Sequence, residues 1–317
     1  MTKLLITRRL PDSNLAAAEA AYDVTLKDTP DPMSEDEARA ALQTYDAILP
    51  TLGDRFTAAA FDSAPYRCKM LANFGVGYNH IDVAAAKAAG LVVSNTPGAV
   101  TDATADIALT LMLMTCRRAG EGERLVRSNQ WTGWQPTQML GLHMSGKTIG
   151  IAGMGRIGKA IARRAHYGFG MNVVFFNRSP VADPGLPAQQ LASLENVCSA
   201  ADVVVTAVPA TPETHHLIGS AELAAMKPTG HLVNIARGDV VDEAALITAL
   251  ETGVIAGAGL DVYEFEPKVP DALKALENVV LLPHLGTAAL EVRENMGQMA
   301  LDNLAAFVAG TPLPNPV

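Results

Sequence analysis

Three residues far apart in the chain carry side chains that suit one piece of chemistry: Arg237, Glu266 and His284. Arg237 follows the apolar run Leu232-Val233-Asn234-Ile235-Ala236, His284 closes Val279-Val280-Leu281-Leu282-Pro283, and Glu266 lies in the loop beyond Ala256 to Leu260. Read as parallel strands, these runs put all three residues at or beyond carboxyl ends, where open α/β sheets hold their ligands. A guanidinium can bridge a carboxylate and the carbonyl beside it through directed donors. A histidine, with an ordinary pKa of about 6.5, can protonate a ketone oxygen as hydride reaches its carbon. A carboxylate on the other ring nitrogen fixes the tautomer and stabilises the imidazolium. Arg237, Glu266 and His284 therefore fit the reduction of a 2-oxoacid. Singly, each has a plainer reading: a surface cation, a solvated loop acid, a strand-end hydrogen-bonding residue. Their joint position favours the chemistry.

The turn Gly153-Met154-Gly155-Arg156-Ile157-Gly158 matches the glycine pattern of dinucleotide-binding folds, with the apolar run Lys147 to Ala152 before it and the helical stretch Lys159 to Ala165 after it. Glycines let the backbone approach a pyrophosphate closely, and the helix start supplies N–H donors and the positive end of a dipole. A Gly-rich turn alone is weak evidence, but the strand-turn-helix context is the one the motif needs. About twenty residues on, where an acid would bond the ribose 2′-hydroxyl of NAD, the run Asn172 to Phe176 ends in Asn177-Arg178-Ser179. No carboxylate stands there, and these side chains can bind a 2′-phosphate, so the expected cofactor is NADPH, with NADH as the other possibility.

The elements that must position these groups follow a strand-helix rhythm. Apolar runs at Lys3 to Thr7, Tyr22 to Leu26, Ala47 to Leu49, Lys69 to Asn73 and Leu91 to Ser94 read as one parallel series. Runs at 147–152, 172–176, 203–208, 231–235, 256–260 and 279–282 read as another. Continuous rather than alternating apolar strands mean that helices cover both sheet faces. The expected fold is α/β with two doubly wound parallel-sheet domains, a Rossmann nucleotide-binding domain (99–286) inserted in a smaller flavodoxin-like substrate domain (1–98 and the returning helix in 287–317). The returning helix is the amphipathic run Ala288 to Val308, and Met112-Leu113-Met114 reads as helix core.

Composition excludes other classes. With 317 residues, 49% hydrophobic, the chain can bury sizeable cores, and a net charge of −9 disfavours nucleic acid or anionic membrane as partners. The cysteines Cys68, Cys116 and Cys198 are odd in number and widely spaced, which suggests neither a disulfide framework nor a cysteine-based zinc site. No leader or membrane anchor is evident, and a cytoplasmic location is expected. For the pair His215-His216, no Asp, Glu or Cys stands at ligand spacing, so a solvated pair and no metal are expected.

In order along the chain, Phe74-Gly75-Val76-Gly77-Tyr78-Asn79-His80-Ile81-Asp82, Asn95-Thr96-Pro97, the 153–158 turn, Asn234-Ile235-Ala236-Arg237-Gly238, Asp261-Val262-Tyr263-Glu264-Phe265-Glu266-Pro267 and Pro283-His284-Leu285-Gly286-Thr287 resemble the D-isomer-specific 2-hydroxyacid dehydrogenase family. Within it the sequence looks most like the glyoxylate/hydroxypyruvate reductases. The resemblance implies that backbone N–H groups at Val76 and Gly77 grip the substrate carboxylate, that Arg237 also binds substrate, and that Asp261 contacts the cofactor. Glycines 75 and 77 support the first point independently, since a loop without Cβ atoms can bring N–H donors against an anion. Where many relatives carry a Glu, this chain has Thr104, to which only a cofactor contact is assigned. The resemblance further implies a homodimer, with Trp131 and Trp134 near its interface. Another activity of the family, such as phosphoglycerate or formate oxidation, and a non-catalytic protein sensing nicotinamide redox state are the competing readings. Retention of all three catalytic residues argues against the sensor.

Overall fold

Short aliphatic runs form the strands of two sheets in which every strand pairing is parallel. The structure is a computed structural model that describes residues 1–317, and the chain divides into two units, residues 1–100 with 288–317, and residues 101–287.

In the first unit, β1 (Lys3–Ile6), β2 (Asp23–Leu26), β3 (Ala47–Leu49), β4 (Met70–Ala72) and β5 (Val92–Ser94) lie in the order β2-β1-β3-β4-β5. This is the flavodoxin-like doubly wound order. One face packs Leu5, Ile48, Leu71 and Val93 under the helix Glu35–Thr44, whose start is closed by a reciprocal capping box between Ser34 and Glu37. Such a cap contributes about 1 kcal/mol. On the other face the helix Leu290–Val308 lays Ala300, Leu301 and Leu304 over Leu4, Ile6, Met70 and Ala72.

The second unit holds β6 (Thr148–Ala152), β7 (Asn172–Phe176), β8 (Gln189–Gln190), β9 (Val203–Thr206), β10 (His231–Asn234), β11 (Gly257–Leu260) and β12 (Val279–Leu281) in the order β12-β11-β10-β9-β6-β7-β8. The order reverses between β6 and β9, which in a Rossmann sheet is the ligand crevice. Helices Thr101–Cys116 and Arg156–Phe169 cover one face, and Leu194–Ala200, Ser220–Ala225 and Glu243–Glu251 cover the other. Register then does the positioning. Ala152 pairs with Phe176 and Thr206, Thr206 with Asn234, Asn234 with Leu260, and Leu260 with Leu281. The residues that follow these strand ends therefore emerge along one edge.

Three local expectations change. The helix after the glycine turn begins at Arg156 rather than Lys159, because Gly155 takes the N-cap position. The edge strand β8 is two glutamines with no apolar signal, and it is held by its pairing with β7. Leu113 is not core: it is 38% exposed, on the outer side of a helix whose inner side carries Leu111 and Met112.

All three cysteines are free and buried, and burial pushes each thiol up to about 12. Thiolate is the reactive form. In the folded protein at about pH 8, Cys68, Cys116 and Cys198 should be silent toward a chromogenic disulfide reagent, and all should react in denaturant. Rapid labelling of the native chain would contradict their burial.

Candidate active site

The carboxyl edge of the second sheet brings Arg237, Glu266 and His284 into one network. His284 Nδ1 lies 2.9 Å from Glu266 Oε2, and Glu266 Oε1 accepts from the Tyr263 N–H at 3.1 Å. The carboxylate is thus fixed at both oxygens, and Nε2 is the ring nitrogen left for a substrate. Burial alone would push the Glu266 carboxyl up, but the hydrogen bond and charge of His284, the Tyr263 N–H and the charge of Arg237 hold it below the ordinary range. Burial pulls the Arg237 guanidinium down, against the opposing charges of Glu266 and Asp239.

Each of these residues is held by its neighbours. Arg237 Nη1 donates to the Ala236 carbonyl at 2.7 Å. Asn234 ends β10 with its Nδ2 donating to the Arg237 carbonyl at 2.9 Å and its Oδ1 accepting from the Ala236 N–H and from Thr206 Oγ1. At Gly238 the backbone comes so close to the Glu266 loop that a Cβ would stand 1.8 Å from the Tyr263 carbonyl carbon. Only glycine allows the Arg237 loop to pack there.

His284 has a left-handed backbone, φ 55°, uncommon for a side-chain-bearing residue. Asp261 holds it so: its carbonyl accepts from the His284 N–H at 2.9 Å, and its two carboxylate oxygens accept from the N–H groups of Leu285 at 2.6 Å and Gly286 at 2.8 Å. Asp261 is 1% exposed, and burial raises its carboxyl while those N–H groups lower it. Thr104 is also engaged, its hydroxyl donating to the Gly286 carbonyl at 3.2 Å. Asp261 and Thr104, expected from the sequence as cofactor contacts, both brace the loop that carries His284.

At the glycine turn the three glycines do different things. Gly153 adopts φ 97°, and a Cβ there would meet the Ala207 carbonyl oxygen at 2.8 Å. A Cβ on Gly158 would stand 2.1 Å from the Gly153 carbonyl oxygen, so this glycine lets the helix close on the strand. Gly155 faces open space, with nothing within 4 Å, and caps the helix with no side-chain bond. An uncapped helix start beside open space is a cradle for an anion, and it fits a dinucleotide pyrophosphate. Arg156 and Ile157 begin that helix. Beyond β7, Asn177 Oδ1 accepts from the Met154 N–H and its Nδ2 donates to the Ser179 carbonyl, so Asn177 shapes the turn as well as lining it. Arg178 and Ser179 lie beside it, and the charge of Arg178 reaches Glu213.

In the first unit, Val76 and Gly77 follow β4. Asn73 Nδ2 donates to the carbonyls of Gly75 and Gly77, and Asn95 Nδ2 donates to that of Val76 at 2.9 Å. With the carbonyls tied down, the Val76 and Gly77 N–H groups have no acceptor within the chain. Sequence reasoning missed Asn73, Asn95 and Asn234 as positioning residues. The available signal was an Asn at or just beyond the end of an apolar run beside a glycine or Pro turn.

His215 and His216 are not simply solvated. Glu264, distant in sequence, lies with Oε1 3.1 Å from His216 Nε2.

A profile of the D-isomer specific 2-hydroxyacid dehydrogenase NAD binding domain matches residues 109–286. The chain belongs to the D-isomer specific 2-hydroxyacid dehydrogenase family. It is 44% identical over 314 residues to a glyoxylate reductase of Thermococcus gammatolerans, covering 97% of this chain and 93% of that one. A glycerate dehydrogenase of Hyphomicrobium methylovorum is 36% identical, with 98% and 97% covered. Among solved structures, an NADPH-dependent glyoxylate/hydroxypyruvate reductase from Sinorhizobium meliloti, in complex with NADP and malonate, superposes with a TM-score of 0.89 at 35% identity, covering 100% of this chain and 96% of that one. As in the sequence expectation, this 2-hydroxyacid dehydrogenase has two parallel-sheet α/β domains of Rossmann type. No helix is long and apolar enough to cross a membrane.

Proposed function

We propose that this dehydrogenase reduces small 2-oxoacids, glyoxylate and hydroxypyruvate among them, to 2-hydroxyacids, of D configuration where the product is chiral. The observation that carries the reading is the 2.9 Å pair of His284 Nδ1 with Glu266 Oε2 on the sheet edge that also bears Arg237. The nicotinamide, when bound, supplies the hydride. Gly153, Gly155, Arg156, Ile157 and Gly158 would hold its pyrophosphate, through the N–H groups of the open helix start. Arg237 binds the substrate carboxylate and polarises the adjacent carbonyl. The proton on His284 Nε2 passes to the carbonyl oxygen as charge develops there, and Glu266 stabilises the imidazolium that stands ready to give it. In the first unit, the N–H groups of Val76 and Gly77 are suited to bind a carboxylate, since the asparagines beside them hold only their carbonyls. The names of the similar reductases support the same substrate class. Initial rates over a panel of 2-oxoacids with each cofactor test the proposal, and absence of turnover with every one would refute it.

The finer reading is a preference for NADPH. The end of β7 presents Asn177, Arg178 and Ser179 where NAD-selective sheets place an acid, and no hydrogen bond or ion pair within the chain occupies the Arg178 guanidinium. Arg178→Ala should raise the KM for NADPH by roughly 10-fold, the scale of one charge-assisted contact, and leave NADH nearly unaffected. Equal kcat/KM for the two cofactors in the unaltered enzyme would refute the preference.

The same reading extends to assembly. Trp134 is 81% exposed, and Val126, Trp131 and Leu140 are exposed beside it in sequence, an apolar stretch that a soluble monomer rarely presents. A homodimer through the nucleotide-binding units covers it, as isologous pairs commonly do. Light scattering should give twice the chain mass, and a monomer at working concentration would contradict the dimer.

A further inference from the structure

The second unit carries a group of metal-ligating side chains outside the catalytic set. His215 and His216 follow a single 3-10 turn, Pro212–Thr214, and their rings stack with centroids 3.9 Å apart and planes 24° apart. His216 is held at φ 51°, and its N–H donates to the Asp239 carbonyl at 2.7 Å. Glu264 reaches the same point from the loop after β11, and its N–H donates to Glu243 Oε1 at 3.2 Å. One ligand atom from each of His215, His216 and Glu264 lies within 4.8 Å of the others.

We propose that His215, His216 and Glu264 form a site for a divalent transition ion of the Zn²⁺ class. His216 Nε2 and Glu264 Oε1, 3.1 Å apart, would subtend an angle of about 95° at an ion with bonds of ~2.1 Å, a geometry these ions accept. His215 is exposed, and its ring would have to turn out of the stack with His216 to bring the third donor. Two nitrogens and one oxygen suit Zn²⁺, Co²⁺ or Ni²⁺, whereas Ca²⁺ and Mg²⁺ require oxygen ligands. On the far side of His216, Asp242 Oδ2 stands 3.9 Å from Nδ1, too far for a hydrogen bond but near enough for its charge to favour a cation at the site. Asp239, Asp242, Glu243 and Glu264 add negative charge that favours a cation. None of Arg237, Glu266 or His284 is a ligand, so the site stands or falls independently of the oxoacid reading. Its lever on the enzyme is sequence proximity: Glu264 is two residues from Glu266, and Asp239, which holds the His216 backbone, is two residues from Arg237. An ion there ties the two loops together.

The test is titration of the chelator-stripped full chain with Zn²⁺ in competition with a chromophoric chelator. One Zn²⁺ per chain should bind saturably and raise the melting temperature by a few degrees. Glu264→Gln and His216→Gln should each weaken binding by ~10-fold or more. His166→Gln, altering a ring bonded to the Met171 carbonyl, should leave it unchanged. Co²⁺ bound to the unaltered chain should give a visible absorption band that Zn²⁺ removes, a readout that needs no variant to fold. Binding that persists in both variants, or a chain showing neither saturable Zn²⁺ uptake nor the Co²⁺ band, would overturn the site.

Discussion

His284→Ala should cut kcat by about 10²-fold or more while leaving the affinity for reduced cofactor close to its original value. The imidazole is the one group here with a free ring nitrogen and a carboxylate fixed behind it. Its removal costs the proton transfer, which is made only in the transition state, so loss should fall on kcat rather than on binding. Cofactor affinity, read by quenching of protein fluorescence, separates this from a folding defect. Glu266→Gln keeps the shape and deletes the charge. The His284 ring then loses the charged partner that fixes its orientation, so kcat should fall with little change in cofactor affinity. Near-normal kcat in either variant would remove that residue from the mechanism.

Gly238→Ala is expected to be nearly as damaging, although the side chain added is one methyl. Its Cβ would stand 1.8 Å from the Tyr263 carbonyl carbon, 2.0 Å from its oxygen and 2.2 Å from the Glu264 nitrogen. All three are backbone atoms, so the Arg237 loop and the Glu266 loop must separate. A misplacement of about 1 Å at reacting groups can cost 10²-fold in rate, and overpacking of this kind costs about 1–3 kcal/mol or more in stability. Both kcat/KM and the denaturation midpoint should fall. Gly155→Ala is the contrast: nothing lies within 4 Å of its Cβ, so stability should hold while cofactor KM rises. If the two variants behave alike, the separation between a packing glycine and a ligand-facing glycine is wrong.

Much of this was legible because parallel strands are buried on both faces. Runs such as Val203-Val204-Val205 and Leu232-Val233 announce themselves, and the ends of the runs place Arg237 and His284 without any side-chain knowledge. The glycine turn was legible for a similar reason, since its neighbours declare a strand and a helix. What the sequence hid depends on register. Asp261 clamps Leu285 and Gly286 from 24 and 25 positions away, and His216 meets Glu264 across 48, contacts that no local spacing encodes. The same holds for β8, whose glutamines become a strand only because β7 lies beside them. Leu113 shows the reverse failure, where an apolar run on a helix suggests burial all round although only one side is covered.

The helix Leu290–Val308 has a consequence for the order in which a nascent chain can fold. Leu4, Ile6, Met70 and Ala72 are made before residues 101–287, yet part of their cover, Ala300, Leu301 and Leu304, is made after them. Domains generally fold as units as synthesis proceeds. Residues 101–287, one uninterrupted stretch with both sheet faces supplied from within, can be complete while the earlier sheet still waits, one face covered only in part by Leu15 and Ala18 of the helix Asp12–Ala21, for the helix that completes it. The unit whose first strands are made earliest therefore completes its core only after the other unit has been made.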